Sequence, residues 1–149
     1  MKKGALLTGI LFLLILISCE RDSIESSYWK LYDTTYKAVH VQYDDRSVDE
    51  ALKAYTDFIE TLNVRFKTKP TSSSTYDVLD LYSYNKSNAP NITTIGASSN
   101  GLFFSTGRVG DKINVQVLSN GKLKVTISNV EVGNTTIKPT ILSGVLFEQ

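Results

Sequence analysis

Between Lys112 and Val132 the chain places apolar residues on nearly every second position, with one interruption at Ser119-Asn120-Gly121. A period of two matches the alternation of side chains across a strand, so this stretch reads as a hairpin with one buried face. Asn-Gly between two strands ordinarily marks a two-residue type I′ turn. Such a turn would set Lys124 opposite Val117 and Thr126 opposite Val115, mixing core and surface side chains on one face. A three-residue loop, with Gly121 left-handed in a G1 bulge, instead pairs Val117 with Leu123, Val115 with Val125 and Ile113 with Ile127. The three-residue loop is therefore expected. Beyond Ile127 the apolar positions shift to Val130 and Val132, which predicts a bulge near Ser128-Asn129.

The same period recurs from Tyr28 onward. Leu62, Val64 and Phe66 alternate with Asn63, Arg65 and Lys67, giving one strand a buried and a solvated face. Runs rich in Tyr, Phe, Val, Ile and Thr predict strands at Tyr28–Tyr32, Tyr36–Tyr43, Ile59–Thr68, Thr75–Tyr84, Ile92–Ile95, Leu102–Thr106, Lys112–Leu118, Lys122–Val132 and Thr140–Phe147. One short helix is expected from Ser47 to Tyr55, because Ser47 and Glu50 stand at capping-box spacing and Leu52 and Tyr55 are three apart. The fold class is all-β: an antiparallel β-sandwich, or alternatively a flattened barrel, of eight to nine strands with one short helix.

The first residues obey a different logic. Met1-Lys2-Lys3 is followed by Gly4 to Ile17 without a charge. That run is shorter than the roughly 20 apolar residues a membrane-spanning helix needs. A positive start followed by a short apolar core is the layout of a cleaved export signal, here residues 1–18 as an N-terminal signal helix. Leu16-Ile17-Ser18-Cys19 resembles the lipobox of bacterial lipoproteins. The resemblance implies cleavage between Ser18 and Cys19, a diacylglycerol on the Cys19 sulfur, and a fatty acyl chain such as palmitate on the new amino terminus. Two or three chains anchor stably where one binds only marginally. The partner implied is the membrane, and the outer membrane, on its periplasmic face or at the cell surface, is expected ahead of the inner one.

Residues 19–27 then form a lipidated tether and 28–149 a single β-domain. Lys2 and Lys3 leave with the signal, so 14 basic side chains face 15 acidic ones, and no basic excess points to nucleic acid. Cys19 is the only cysteine, which leaves the domain without a disulfide or a thiolate metal site. Asp22-Ser23-Ile24 and Asp33-Thr34-Thr35 resemble the three-residue O-glycosylation sequence of Bacteroidota-type bacteria, and this implies modification at Ser23. Lys69 to Tyr76, the Asn-Gly hairpin and Gly144-Val145-Leu146-Phe147-Glu148 together resemble small Bacteroidota lipoproteins of unassigned function.

Chemistry is sparse. His40 is the only histidine, and alternation puts it with Gln42 on the face opposite Val39 and Val41, as a surface residue. No nucleophile elbow, phosphate loop or dinucleotide glycine pattern occurs, so no catalytic residue and no cofactor is expected. Asp44, Asp45, Asp49 and Glu50 crowd together and could hold a hard cation, or else serve a turn and the first turn of a helix. Asp77 and Asp80 form a second acidic pair, whose sequence spacing carries no information on the separation glycosidase chemistry needs. Tyr28, Trp29, Tyr32, Tyr36, Tyr43, Tyr76, Tyr82 and Tyr84 suit core packing or a ligand surface. The expectation is a membrane-anchored, non-enzymatic β-domain that binds a protein or an envelope glycan. The alternative is a lipocalin-like carrier with a cavity lined by Tyr76, Val78, Phe103 and Val115.

Overall fold

The computed structural model describes residues 25–46, 50–106, 110–134, 136 and 138–149. The signal segment, Ser18, Cys19 and Ser23 lie outside the described residues. Eleven strands are hydrogen-bonded into one sheet. The first five are β1 (Tyr28–Leu31), β2 (Thr34–Lys37), β3 (His40–Asp44), β4 (Glu50–Tyr55) and β5 (Thr61–Phe66). After them come β6 (Ser74–Val78), the helix α1 (Leu81–Lys86), β7 (Ile92–Ser99) and β8 (Leu102–Thr106). The chain ends with β9 (Lys112–Val117), β10 (Leu123–Gly133) and β11 (Thr140–Phe147).

Two long strands organise the sheet. Strand β7 carries β5 along one edge, and on the other it pairs with β6 near its start and β8 near its end. Strand β10 carries β11 along one edge, with β9 and then β8 on the other. Because β6 also pairs with β9, the strands β6, β7, β8, β10 and β9 close into a five-strand barrel. The barrel form of the expected fold class is thus the one adopted at the centre. All pairings are antiparallel except β6 with β7, which is parallel and short.

Two wings leave the barrel, β11-β1-β2 from β10 and β5-β4-β3 from β7. The chain itself joins their outer ends. The Ala38 amide donates to the Ser27 carbonyl at 3.0 Å, beside β1, while the next amide, Val39, donates to Tyr55 beside β4 at 2.9 Å. Consecutive donors serve opposite wings, as at a corner where a strand changes sheets. This corner divides the single strand expected over Tyr36–Tyr43 into β2 and β3. It also turns Val39 outward, 47% exposed, while Val41 is buried, so the two valines do not share a face.

The hairpin expectations hold in the structure. Leu123 pairs with Val117, Val125 with Val115 and Ile127 with Ile113, and Gly121 has a φ of 76°. The β10–β11 register shifts between Ile127 and Val130, where Asn129 is left-handed at φ 57°. The result is one continuous apolar core running from Trp29 to Leu146, with contributions from both wings and the barrel.

The helix is elsewhere than expected. Glu50–Tyr55 is strand β4, paired with both β3 and β5, so the helix expected from Ser47 to Tyr55 is replaced there by strand; Ser47, Val48 and Asp49 lie outside the described residues. Leu52 and Ala54, two apart, enter the core beside Val64 and Leu62. Conversely, the strand expected over Thr75–Tyr84 ends at Val78 and gives way to α1. Asp80 caps that helix, its carboxylate accepting from the Ser83 amide at 3.0 Å and the Ser83 hydroxyl at 2.6 Å. Tyr84 is the buried anchor of α1.

Candidate functional site

The residues singled out by sequence are dispersed and individually accounted for. His40 is exposed, its Nε2 3.1 Å from the Gln42 side chain and its ring 6.4 Å from that of Tyr55. Asp77 pairs with Lys112, and Asp80 is occupied in the cap, so the two carboxylates serve different partners. The Ser83 bonds hold the Asp80 carboxyl below the usual carboxylate range.

The acidic cluster separates in the same way. Asp44 accepts from Lys53 at 2.6 Å and pairs with Arg46, and the Lys53 bond holds its carboxyl below the ordinary value. Glu50 accepts from the Tyr43 hydroxyl at 2.8 Å, at the start of β4 and not in a helical turn. Burial of Tyr43, followed by that bond, pushes the phenol's pKa up. Asp45 is exposed, and Asp49 lies outside the described residues. Among the described residues no three His, Cys, Asp or Glu side chains gather as a metal site would require.

Asp44 sets one pH-dependent contribution. Its folded-state pKa lies below its unfolded one, so the stabilisation is present above the unfolded pKa of about 3.9 and lost as pH falls through the folded value. Asp44→Asn is therefore expected to lower the urea midpoint at pH 7, with the difference from the parent chain shrinking towards zero by about pH 2. A difference that persists in acid would assign the loss to packing.

Most of the aromatic set packs. Trp29 stacks on Tyr36 at 5.5 Å, Phe66 meets Tyr76 edge-on at 5.3 Å, and Tyr43 stacks on Phe66 at 6.4 Å. Tyr28, Tyr32 and Tyr82 are exposed.

Where an aromatic ring is both exposed and set in a cleft, the residue is one that alternation did not single out. The turn from β4 to β5 carries Asp57-Phe58-Ile59-Glu60, and Phe58 and Ile59 are 83% and 77% exposed. The turn is held by its own bonds. The Thr56 amide donates to the Glu60 carbonyl at 3.2 Å, the Thr56 hydroxyl to the Glu60 carboxylate at 3.0 Å, and the Phe58 amide to the Thr56 hydroxyl at 3.1 Å. Facing it is β2, the terminal strand of the sheet path. Thr35, Tyr36 and Lys37 on one side, with Thr56, Asp57, Phe58 and Glu60 on the other, enclose a cleft of about 340 Å³. The sequence signal was an apolar pair between two acids at a turn, where polar side chains are the rule.

A second hollow lies over Thr75, Asn114, Gln116 and Lys124 on the barrel's outer face. Its Thr75 hydroxyl and Asn114 side chain are already bonded to each other at 3.1 Å. Comparison with protein-family models, with curated proteins and with solved structures finds no match to this chain.

Proposed function

We propose that the chain is a bacterial lipoprotein, lipidated on Cys19 after cleavage behind Ser18. Its β-domain is then a non-enzymatic binding module held on the outer membrane, engaging a protein or envelope glycan partner. The observation that carries the binding half is the cleft: a rigid turn presents Phe58 to solvent beside a sheet edge, an arrangement that contributes nothing to the core. The anchoring half rests on Leu16-Ile17-Ser18-Cys19. Glu25 meets Lys124 at 3.2 Å, so the described chain begins beside the start of β10, and the β7–β8 turn lies at the other end of that strand. A single exposed histidine bonded to Gln42 supports a non-enzymatic reading.

The carrier alternative has no observation in its favour. Tyr76, Val78 and Val115 pack within the continuous core, and Phe103 is 75% exposed.

Intact-mass spectrometry of the membrane fraction, with a Cys19→Ala control, tests the anchor. The parent chain is expected to start at Cys19 and carry diacylglycerol plus an amide-linked acyl chain, and Cys19→Ala to carry neither. The same spectrum reports a glycan mass on Ser23, and protease shaving of whole cells separates the cell surface from the periplasmic face. An unlipidated parent chain would overturn the lipoprotein reading.

A further inference from the structure

The cleft lies along a row of backbone groups whose direction the ladder fixes. Tyr32 and Asp33 link β1 to β2 as a two-residue turn, with Tyr32 left-handed at φ 55°. The Ala38 amide bonds to Ser27, so along β2 the residues in step with Ala38, namely Tyr36 and Thr34, direct their N–H and C=O groups towards β1. Thr35 and Lys37 alternate with them and direct theirs away from β1. Both of these residues line the cleft. An outer strand bearing unpaired amides and carbonyls is a template for another strand. Here the template has an opposite wall, made of Phe58, Asp57 and Glu60, across the cleft.

We infer that this cleft binds an extended peptide segment of a protein partner, which adds as a strand to β2. Antiparallel addition pairs two of its residues with Thr35 and Lys37 through up to four main-chain hydrogen bonds. Its alternate side chains meet the opposite wall. An apolar one covers the Phe58 ring, and a basic one faces Asp57 and Glu60, two carboxylates against the single ammonium of Lys37. A peptide is favoured over a sugar because the outward Thr35 and Lys37 groups alternate donor and acceptor at the spacing of another backbone. The inference rests on the binding half of the proposed function and not on the anchor. The core lies wholly between Trp29 and Leu146, so a lipid-free domain starting at Glu20 folds as the full chain does and isolates the two questions.

The test is a titration of that domain, uniformly ¹⁵N-labelled, with the capped hexapeptide Ac-Lys-Lys-Val-Val-Lys-Lys-NH₂, which presents both a basic and an apolar side chain on each face of an extended strand. Amide shift changes and slowed amide exchange are expected at Thr35 and Lys37, with smaller changes at Phe58, and a dissociation constant on the order of 1 mM or tighter. The decisive variant is Thr35→Pro. Proline removes the outward N–H while leaving every bond to β1, since an edge position facing away from the ladder tolerates it. This variant is expected to keep the parent melting transition and to bind the peptide about tenfold more weakly or not at all. Phe58→Ser is expected to weaken binding with stability unchanged. Shifts confined to other surfaces, or full binding by folded Thr35→Pro, would overturn the proposal. So would slowed exchange at Thr35 that grows with protein concentration and no peptide, which would assign the edge to a second copy of this chain. Response of the same amides to maltohexaose but not to the peptide would make the cleft a sugar site instead.

Discussion

Gly144→Ala is expected to lower the melting temperature by roughly 10 °C, from the loss of about 3 kcal/mol that overpacking a dense core costs. Along β11 the inward positions are Leu142, Gly144 and Leu146, and the glycine lies directly opposite Trp29 on β1. A Cβ on Gly144 would sit 2.5 Å from the Tyr28 carbonyl oxygen and 2.9 Å from both Cα and Cβ of Trp29. None of these atoms can swing aside. The indole is fully buried and stacked on Tyr36, so β1 must shift as a whole, and its bonds to β11 and β2 shift with it. Gly101→Ala is the comparison. Gly101 has open space around it and a φ of 75°, so its cost is the conformational one alone, about 1 kcal/mol. Thermal unfolding of the two variants side by side checks the argument; equal losses would mean that the Gly144 contact is relieved by movement of β1.

What was legible in the sequence follows the range of the interaction. The β9–β10 hairpin was readable to the residue because its register depends on one loop and one alternating pattern, both local. The β4 segment was misread because Ala51, Leu52, Lys53 and Ala54 are good helix formers, and because Ala51 on one face and Leu52 with Ala54 on the other are all buried. Burial on both faces erases the period of two, and pairing with β3 and β5 then overrides propensity. At α1 the error ran the other way. Three tyrosines, Tyr76 ahead of the helix and Tyr82 and Tyr84 within it, favoured the expected strand, and the Asp80 cap three residues before Ser83 was the signal passed over.

A barrel was legible as one form of the fold class, but the pairings that close it were not. Closure depends on Thr106 of β8 reaching Val132 of β10 and on β6 pairing with both β7 and β9, while the corner at Ala38-Val39 that joins the wings is announced by no turn residue. The cleft is non-local in the same sense. Residues 35–37 and 56–60 meet because the corner brings β2 across the end of the β4–β5 hairpin. Within the second segment, though, Asp57-Phe58-Ile59-Glu60 already departed from turn chemistry, and it was the better pointer to the site than the tyrosines that fill the core.

Deletion of Asn120 is the second large effect expected, and it separates what the loop contributes from what the register contributes. Three residues now separate Leu118 from Lys122, the Gly121 amide donating to the Leu118 carbonyl at 2.9 Å and the Leu118 amide to Lys122 at 2.8 Å. With Asn120 removed, Ser119 and Gly121 are the two residues left between them, so a two-residue turn keeps Leu118 opposite Lys122, and Val117 stays opposite Leu123. A slip by one would instead turn Leu123, Val125 and Ile127 from the core to solvent. Each of those side chains is worth about 1.5–3 kcal/mol when buried, so the slipped register is out of reach for a domain of ordinary stability. The register therefore holds and the cost falls on the turn. Two-residue hairpin turns need a positive φ at their first position, where Ser119 would stand, and in the present loop Gly121 is the left-handed residue. A loss of about 2 kcal/mol is expected, on the scale of backbone strain at one non-glycine residue. Gly121→Asn, which keeps the loop length and places a residue tolerant of the left-handed conformation, should cost less than about 1 kcal/mol. Urea unfolding of the pair decides between turn strain and loss of register. A deletion no worse than Gly121→Asn would show that Ser119 accepts the shorter turn without strain, and a deletion that unfolds the domain would show that the three-residue loop itself holds Val117 against Leu123.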